Sequence, residues 1–178
     1  MINNFYNVTK DYDISEWLQE IETVTDYEWS KDSSRQESFY VHKDTYTIPI
    51  VFDATFSWPT KIIKTEHYAK YESCLQSLIT VLHDEYGKGF IARIILTKLR
   101  AKGDISEHRD NGECFSRSHR CHLPLRTNDE VYFTVGSDTI TMAEGEIWEI
   151  NNNQRNHSVV NKSDQARVHL IVDWEPYA

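Results

Sequence analysis

Residues 145–174 read GEIWEINNNQRNHSVVNKSDQARVHLIVDW, and the fold turns on how that stretch is parsed. After a turn at Gly145, residues 146–151 (EIWEIN) alternate apolar and polar side chains. A polar loop, Asn151 to Asn156, leads into residues 157–161, and residues 166–174 close the series. Alternation of period two places successive side chains on opposite faces of a sheet. Short strands of this kind, separated by polar turn residues, point to a β-sandwich or barrel.

Working outward, residues 90–99 (FIARIILTKL) form an apolar, β-branched run, and residues 119–126 (HRCHLPLR) alternate. Residues 130–136 and 138–142 read as a hairpin around Gly136-Ser137. The N-terminal half differs. Residues 13–25 are expected to be helical, with Asp13 as N-cap and Glu16 completing a capping box. Ile14, Trp17, Leu18 and Ile21 then share a face. Residues 37–52 (ESFYVHKDTYTIPIVF) are read as strand, with Pro49 marking an edge or bulge. Residues 66–86 form the longest helix, with Tyr68, Tyr71, Leu75, Leu78, Ile79 and Leu82 at spacings of three and four, ended by Gly87 and Gly89. The expected architecture is mainly β with N-terminal helices. It is one domain over residues 1–178, with helical support and edge strands in 1–89 and a core barrel in 90–178.

The chain's 178 residues are enough to bury a real core. Its formal net charge of −9 argues against a nucleic-acid backbone as main partner, although Lys98 to Arg126 is locally basic. Cys74, Cys114 and Cys121 form no disulfide framework, and no second cysteine pair with zinc-type spacing accompanies Cys114 and Cys121. The start, MINNFYNVTKDYD, has no signal-peptide pattern, and no run approaches a membrane span. The cytoplasm is the expected compartment.

The sequence Ser106-Glu107-His108-Arg109-Asp110 follows a strong strand and a turn at Gly103. In extended chain, residues two apart point the same way, so His108 and Asp110 could face one point. Imidazole nitrogen and carboxylate oxygen suit Fe(II), and His157 is the best distant third ligand. Two histidines and one carboxylate on one face leave three metal positions open for oxygen and a bidentate co-substrate. Taken alone, a His-x-Asp is equally an ordinary surface motif. Arg167 lies ten residues after His157. If residues 157–161 and 166–174 form a hairpin, its guanidinium can reach the same cavity and match a carboxylate. The alternation of Arg167, His169 and Ile171 with Val168, Leu170 and Val172 leaves open which set faces inward.

On these residues the chain resembles the aspartyl/asparaginyl β-hydroxylase family of Fe(II)/2-oxoglutarate oxygenases. The resemblance rests on the order of five blocks: HRD at 108–110, RCHLPL at 120–125, VYFTVG at 131–136, GEIWEINNNQRNHSVVN at 145–161 and ARVHLIVDW at 166–174. It implies a double-stranded β-helix (a jelly roll, or cupin-like barrel) with iron on His108 and His157. It also implies that Arg167 binds the 2-oxoglutarate carboxylate, helped by Arg120 and His122. Vertebrate-type members lack the carboxylate ligand, whereas Asp110 stands here. In that respect the chain is similar to bacterial free-proline hydroxylases.

The expected function is therefore an Fe(II)/2-oxoglutarate-dependent dioxygenase using O2. It would hydroxylate an amino-acid side chain, in a peptide or protein or as a free amino acid. The alternative is a non-catalytic cupin-like binding or sensor module. His42, His67 and His83 have no partner motif. His119 points away from Arg120. His169 reads as core or surface. Asn156 and Asn161 flank His157 and are expected to orient it.

Overall fold

The computed structural model describes residues 3–177 apart from 54 and 56. In chain order these form β1 (Phe5–Thr9), α1 (Ser15–Glu22), α2 (Asp26–Ser30), α3 (Ser34–Ser38) and a one-turn 3-10 helix (Tyr40–His42). There follow β2 (Thr45–Phe52), β3 (Ile63–Lys64), α4 (Tyr68–Tyr86), β4 (Gly89–Leu99), β5 (Asp104–His108) and α5 (Glu113–Arg117). The chain ends with β6 (His119–Arg126), β7 (Val131–Val135), β8 (Asp138–Ile140), β9 (Ile147–Ile150), β10 (His157–Asn161) and β11 (Arg167–Pro176). No helix is long and apolar enough to cross a membrane.

The strands make two antiparallel sheets, ordered β1-β9-β6-β11-β4-β2-β3 and β5-β10-β7-β8. This is the double-stranded β-helix. The larger sheet has one apolar face and one polar face, and the difference is written in the parity of its central strands. Val168, Leu170, Val172 and Trp174 of β11 join Ile94 and Leu96 of β4 and Cys121, Leu123 and Leu125 of β6 in one core. Tyr71, Leu75, Leu78 and Leu82, the apolar stripe of α4, complete that core, with Trp17 of α1 stacked on Tyr71 at 5.7 Å. Each such aliphatic side chain contributes roughly 1.5–3 kcal/mol when fully buried. The opposite parity carries Arg93, Thr97, Arg120, His122, Arg167, His169 and Asp173, all buried. A second apolar cluster, including Leu99, Ile105, Val131, Phe133, Val135 and Val159, packs between the sheets beside them.

Several expectations need correction. β10 and β11 are not a hairpin: β10 pairs with β5 and β7, and β11 pairs with β4 and β6. The chain crosses between sheets at residues 162–166. Buried Asn161 staples that crossing, donating from Nδ2 to the Gln165 and Arg100 carbonyls and accepting at Oδ1 from Ser163. Asp13 does not cap α1; its Oδ1 accepts from Ser15 in a local turn, and the helix starts after Ile14. The capping box belongs to α2, where Thr25 and Glu28 satisfy each other's backbone N–H. Residues 37–44, read as strand, are instead the end of α3 and the 3-10 turn. β1, which pairs with β9, and α5 have no counterpart in the sequence reading.

Candidate metal centre

His108 ends β5 and His157 begins β10, and the two are direct cross-strand partners. Facing residues on antiparallel strands hold their Cβ atoms about 5 Å apart, and the two imidazole centroids are 4.2 Å apart. Asp110 follows β5 by two residues and joins them. Ligand atoms of His108, Asp110 and His157 all lie within 4.8 Å of one another. The Nε2 of His108 is 4.0 Å from Asp110 Oδ1, and the Nε2 of His157 is 3.8 Å from Oδ2.

The surroundings prepare each group to ligate. His108 Nδ1 lies 2.8 Å from the Ser106 carbonyl oxygen, to which it donates, leaving the Nε2 lone pair for a metal. Burial pushes the His157 pKa down to about 4, so its ring is neutral at neutral pH. Burial alone would raise the Asp110 pKa. Arg120, His157 and the Asn152 amide outweigh it and hold the carboxyl well below the usual range. Asn152 clamps this residue twice: its carbonyl accepts the Asp110 backbone N–H at 3.1 Å, and its Nδ2 donates to Oδ2 at 2.9 Å. Arg120 Nη1 donates to the same Oδ2. Both donors sit on one oxygen, which leaves Oδ1 for the cation.

Arg120 is itself fixed. Its Nε and Nη2 reach Asp173 Oδ1 and Oδ2 at 2.7 and 2.8 Å, and Arg93 Nε lies 3.4 Å from Asp173 Oδ2. The three residues are a cross-strand row, with Asp173 of β11 opposite Arg93 of β4 and Arg120 of β6. The Arg120 fork is thus engaged by two carboxylates, so its visible work is to orient Asp110.

Arg167 is the contrary case. It is 1% exposed, and none of its three guanidinium nitrogens has a hydrogen-bond partner. Burial and the nearby Arg35 push its pKa down to about 9, which leaves it charged at neutral pH in surroundings that compensate the charge poorly. His122 and His169 lie on the same inner face with all four ring nitrogens unpartnered, as is Thr97 Oγ1. Their rings meet at 5.9 Å. Buried polar groups are almost always satisfied, so this cluster has the character of a ligand chamber. A dianionic oxo acid fits it, with one carboxylate for the Arg167 fork and a chelating end for the metal.

Other placements are plain. His119 faces outward, its Nδ1 2.7 Å from Glu149 Oε1 and its ring stacked on Tyr86. Asn156 donates its side-chain amide to Glu107, and Asn161 donates its own to the Arg100 and Gln165 carbonyls rather than to His157. His169, read as core or surface, lines the chamber. The three cysteines are free and buried. Sequence reasoning set His42 aside for want of a partner motif and did not single out Asn152, Asp173, Arg93 or Arg35. For Asp173 a signal existed: it shares parity with Arg167, and an acid at an inward position calls for a cation on the next strand.

A family model described as aspartyl/asparaginyl β-hydroxylase matches residues 13–176. The chain belongs to this family. It is an Fe(II)/2-oxoglutarate-dependent hydroxylase, with O2 as co-substrate. Among curated proteins none matches the chain. Solved structures of similar fold include a 2OG-Fe(II) oxygenase family oxidoreductase from Burkholderia pseudomallei (TM-score 0.59, 16% identity, covering 75% of this chain and 67% of that one). A prolyl hydroxylase from Trichoplax adhaerens, in complex with a hypoxia inducible factor oxygen degradation domain peptide fragment, has TM-score 0.61 and 14% identity over 97% of this chain and 84% of its own. A Pseudomonas putida prolyl-4-hydroxylase has TM-score 0.54 and 9% identity over 98% and 94%. At these identities the likeness concerns the fold.

Proposed function

We propose that this hydroxylase holds iron on His108, Asp110 and His157, holds the distal carboxylate of 2-oxoglutarate on Arg167, and hydroxylates an amino-acid side chain. Residues 1–178 act as one catalytic domain in this reading, with the N-terminal helices supporting the barrel. The observation that carries it is the meeting of a neutral-histidine and carboxylate triad with a buried, unpaired guanidinium inside one barrel. Iron, 2-oxoglutarate and O2 together supply an oxidant that converts an unactivated C–H bond to C–OH while 2-oxoglutarate becomes succinate and CO2.

The chain's own residues set up that chemistry. Asn152 and Arg120 hold Asp110 so that one oxygen faces the cation. The Ser106 carbonyl fixes the His108 tautomer. Asp173 keeps Arg120 in place. His122, buried and held neutral by its burial, offers hydrogen bonds to the co-substrate without adding charge. The apolar cluster of Phe133, Val135 and Val159 keeps water from the inner end.

Succinate formation from 2-oxoglutarate with added Fe(II) tests the activity, and equilibrium dialysis of Fe(II) tests the ligands. One ion per chain is expected. Asp110→Ala and His157→Ala should each lose tight iron binding and turnover, while circular dichroism shows a folded barrel. Normal binding in either variant would sink the ligand assignment. A cupin-like module without turnover would bind metal and yield no succinate.

A further inference from the structure

Among the described residues, the chamber holds one cation that neither iron chemistry nor 2-oxoglutarate uses. Arg35 stands on α3, a segment outside both sheets, and its half-buried side chain reaches in over β2. Its Nη1 donates to Thr47 Oγ1 at 3.5 Å. Thr47 is buried, pairs in register with Thr97, and Thr97 pairs with His169. Arg35 therefore lies over the inner face that carries Arg167. Among the described residues no carboxylate comes within 4.0 Å of it. Burial and the charge of Arg120 push its pKa down to about 10, with Asp110 and Asp173 opposing.

Two neighbours make this more than a stray arginine. Gln36 is anchored by its Nε2 to the Thr45 carbonyl at 2.5 Å, which pins α3 to β2. His42, at the end of the 3-10 turn, is 6% exposed, has an unpartnered Nδ1, and sets its ring 5.2 Å from that of the metal-ligand candidate His108. So one short segment, residues 35–42, brings a guanidinium with no carboxylate partner among the described residues and a buried imidazole with an unpartnered Nδ1 to the metal's side of the chamber. The charges point the same way. Asp173 and Asp110 are taken up by Arg93, Arg120 and the metal, and the two carboxylates of 2-oxoglutarate by Arg167 and the metal. Arg35 is left as a cation facing the reacting space.

We propose that Arg35, with Thr47 and His42 beside it, is the anchor for a free carboxylate on the substrate, so that this enzyme acts on a free amino acid or a chain-terminal residue rather than on an internal residue of a protein. This rests on the iron and 2-oxoglutarate reading above. A planar fork binds a carboxylate through two parallel N–H···O bonds, which an internal peptide carbonyl cannot replace. Arg35 is near enough to feel the charge of Asp110, which suits a small molecule whose reacting carbon lies a few bonds from its carboxylate.

The test pairs enzyme and substrate changes. The twenty free L-amino acids, their carboxamides and their N-acetyl-N′-methylamides are screened for a product heavier by one oxygen. Anaerobic titration calorimetry with Fe(II) and 2-oxoglutarate present then gives Kd for the best hit. Wild type should bind the free acid at least about 30-fold more tightly than its amide. Arg35→Gln should lose that discrimination, and Arg35→Lys should keep part of it. The Kd of 2-oxoglutarate, measured alongside, should move far less. Equal acid-over-amide preference in wild type and Arg35→Gln overturns the proposal, as does a best substrate among the N-acetyl-N′-methylamides. If Arg35→Gln does not fold, the wild-type acid-to-amide ratio and Arg35→Lys still decide it. Absence of succinate formation by wild type with every compound would instead fail the underlying reading, and this proposal with it.

Discussion

Arg167→Met should make the protein more stable without co-substrate and unable to respond to it. The side chain is 1% exposed and its guanidinium has no partner. Its surroundings lower its pKa from the usual guanidinium range to about 9. At about 1.4 kcal/mol per unit, that depression corresponds to roughly 5 kcal/mol of uncompensated desolvation and repulsion. Water entering the chamber recovers part of this, so a gain of about 2–3 kcal/mol on removing the charge is the reasonable figure. Met keeps most of the stem and leaves little void. In a chain of this length 1 kcal/mol moves Tm by about 2–4 °C, so the variant should melt roughly 5–10 °C higher in the absence of ligand. Wild type with 2-oxoglutarate at a hundred times its Kd should gain about 2.7 kcal/mol by mass action. The variant should gain less than about 1 kcal/mol at that concentration, because losing one partner of a buried charge pair costs about 2–5 kcal/mol of affinity. Differential scanning calorimetry with Zn(II) in place of iron, with and without 2-oxoglutarate, measures both effects. A variant that melts lower than wild type and still shifts with 2-oxoglutarate would refute both the isolation of Arg167 and its role.

Asn152→Ala should weaken metal binding about 10–100-fold by equilibrium dialysis, since Asp110 then loses both the Nδ2 bond and a defined loop beneath it, while the unliganded fold keeps its Tm to within a few degrees. Asp173→Asn removes the buried carboxylate that Arg93 and Arg120 share, and should cost about 3–5 kcal/mol in urea denaturation. His122 and His169 titrate well below 6.5 in the folded state because they are buried. The unfolded chain therefore binds the extra protons below pH 6.5, and stability is complete above that pH and lost as pH falls. Between pH 7 and 5.5 each should remove about 1.2 kcal/mol, so the stability lost over that window in urea denaturation should be smaller by about that amount in His169→Asn than in wild type.

What was legible from sequence followed from local rules with strong local signals. The last five strands, the hairpin at Gly136-Ser137 and the helix 68–86 each announce themselves by period and punctuation, and Gly87 ends that helix at φ 80°. The triad was legible for the same reason: His108 and Asp110 are two apart in extended chain, and His157 opens a strand. What was hidden depended on pairing between distant strands. Nothing in residues 157–174 says that one strand belongs to each sheet, so Arg167 reached the chamber by a route other than the expected hairpin. Asn152 sits in a loop with no periodicity, and its value comes only from Asp110, forty-two residues away. Residues 37–44 deceived because Phe, Tyr, Val and His favour strand. Tertiary anchoring by Gln36 and the turn at His42 overrode that preference.

The parity of β11 shows why the fold and the function could be separated. Its even positions from 168 to 174 are apolar, pack on α4 and would serve any barrel of this size. Four of its odd positions, Arg167, His169, Asp173 and Glu175, are polar and buried, and two of these, Arg167 and His169, have no hydrogen-bond partner. A sheet selected for stability alone would place Val or Ile at those sites, since an unpaired buried guanidinium is among the least favourable groups a core can hold. Local rules are broken where a ligand is meant to complete them. Asp173, satisfied by two arginines, marks the part of the chamber that the protein completes for itself. Arg167 and His169 mark the part left to an incoming molecule, and Arg35, reaching in over β2, extends that logic to a second one.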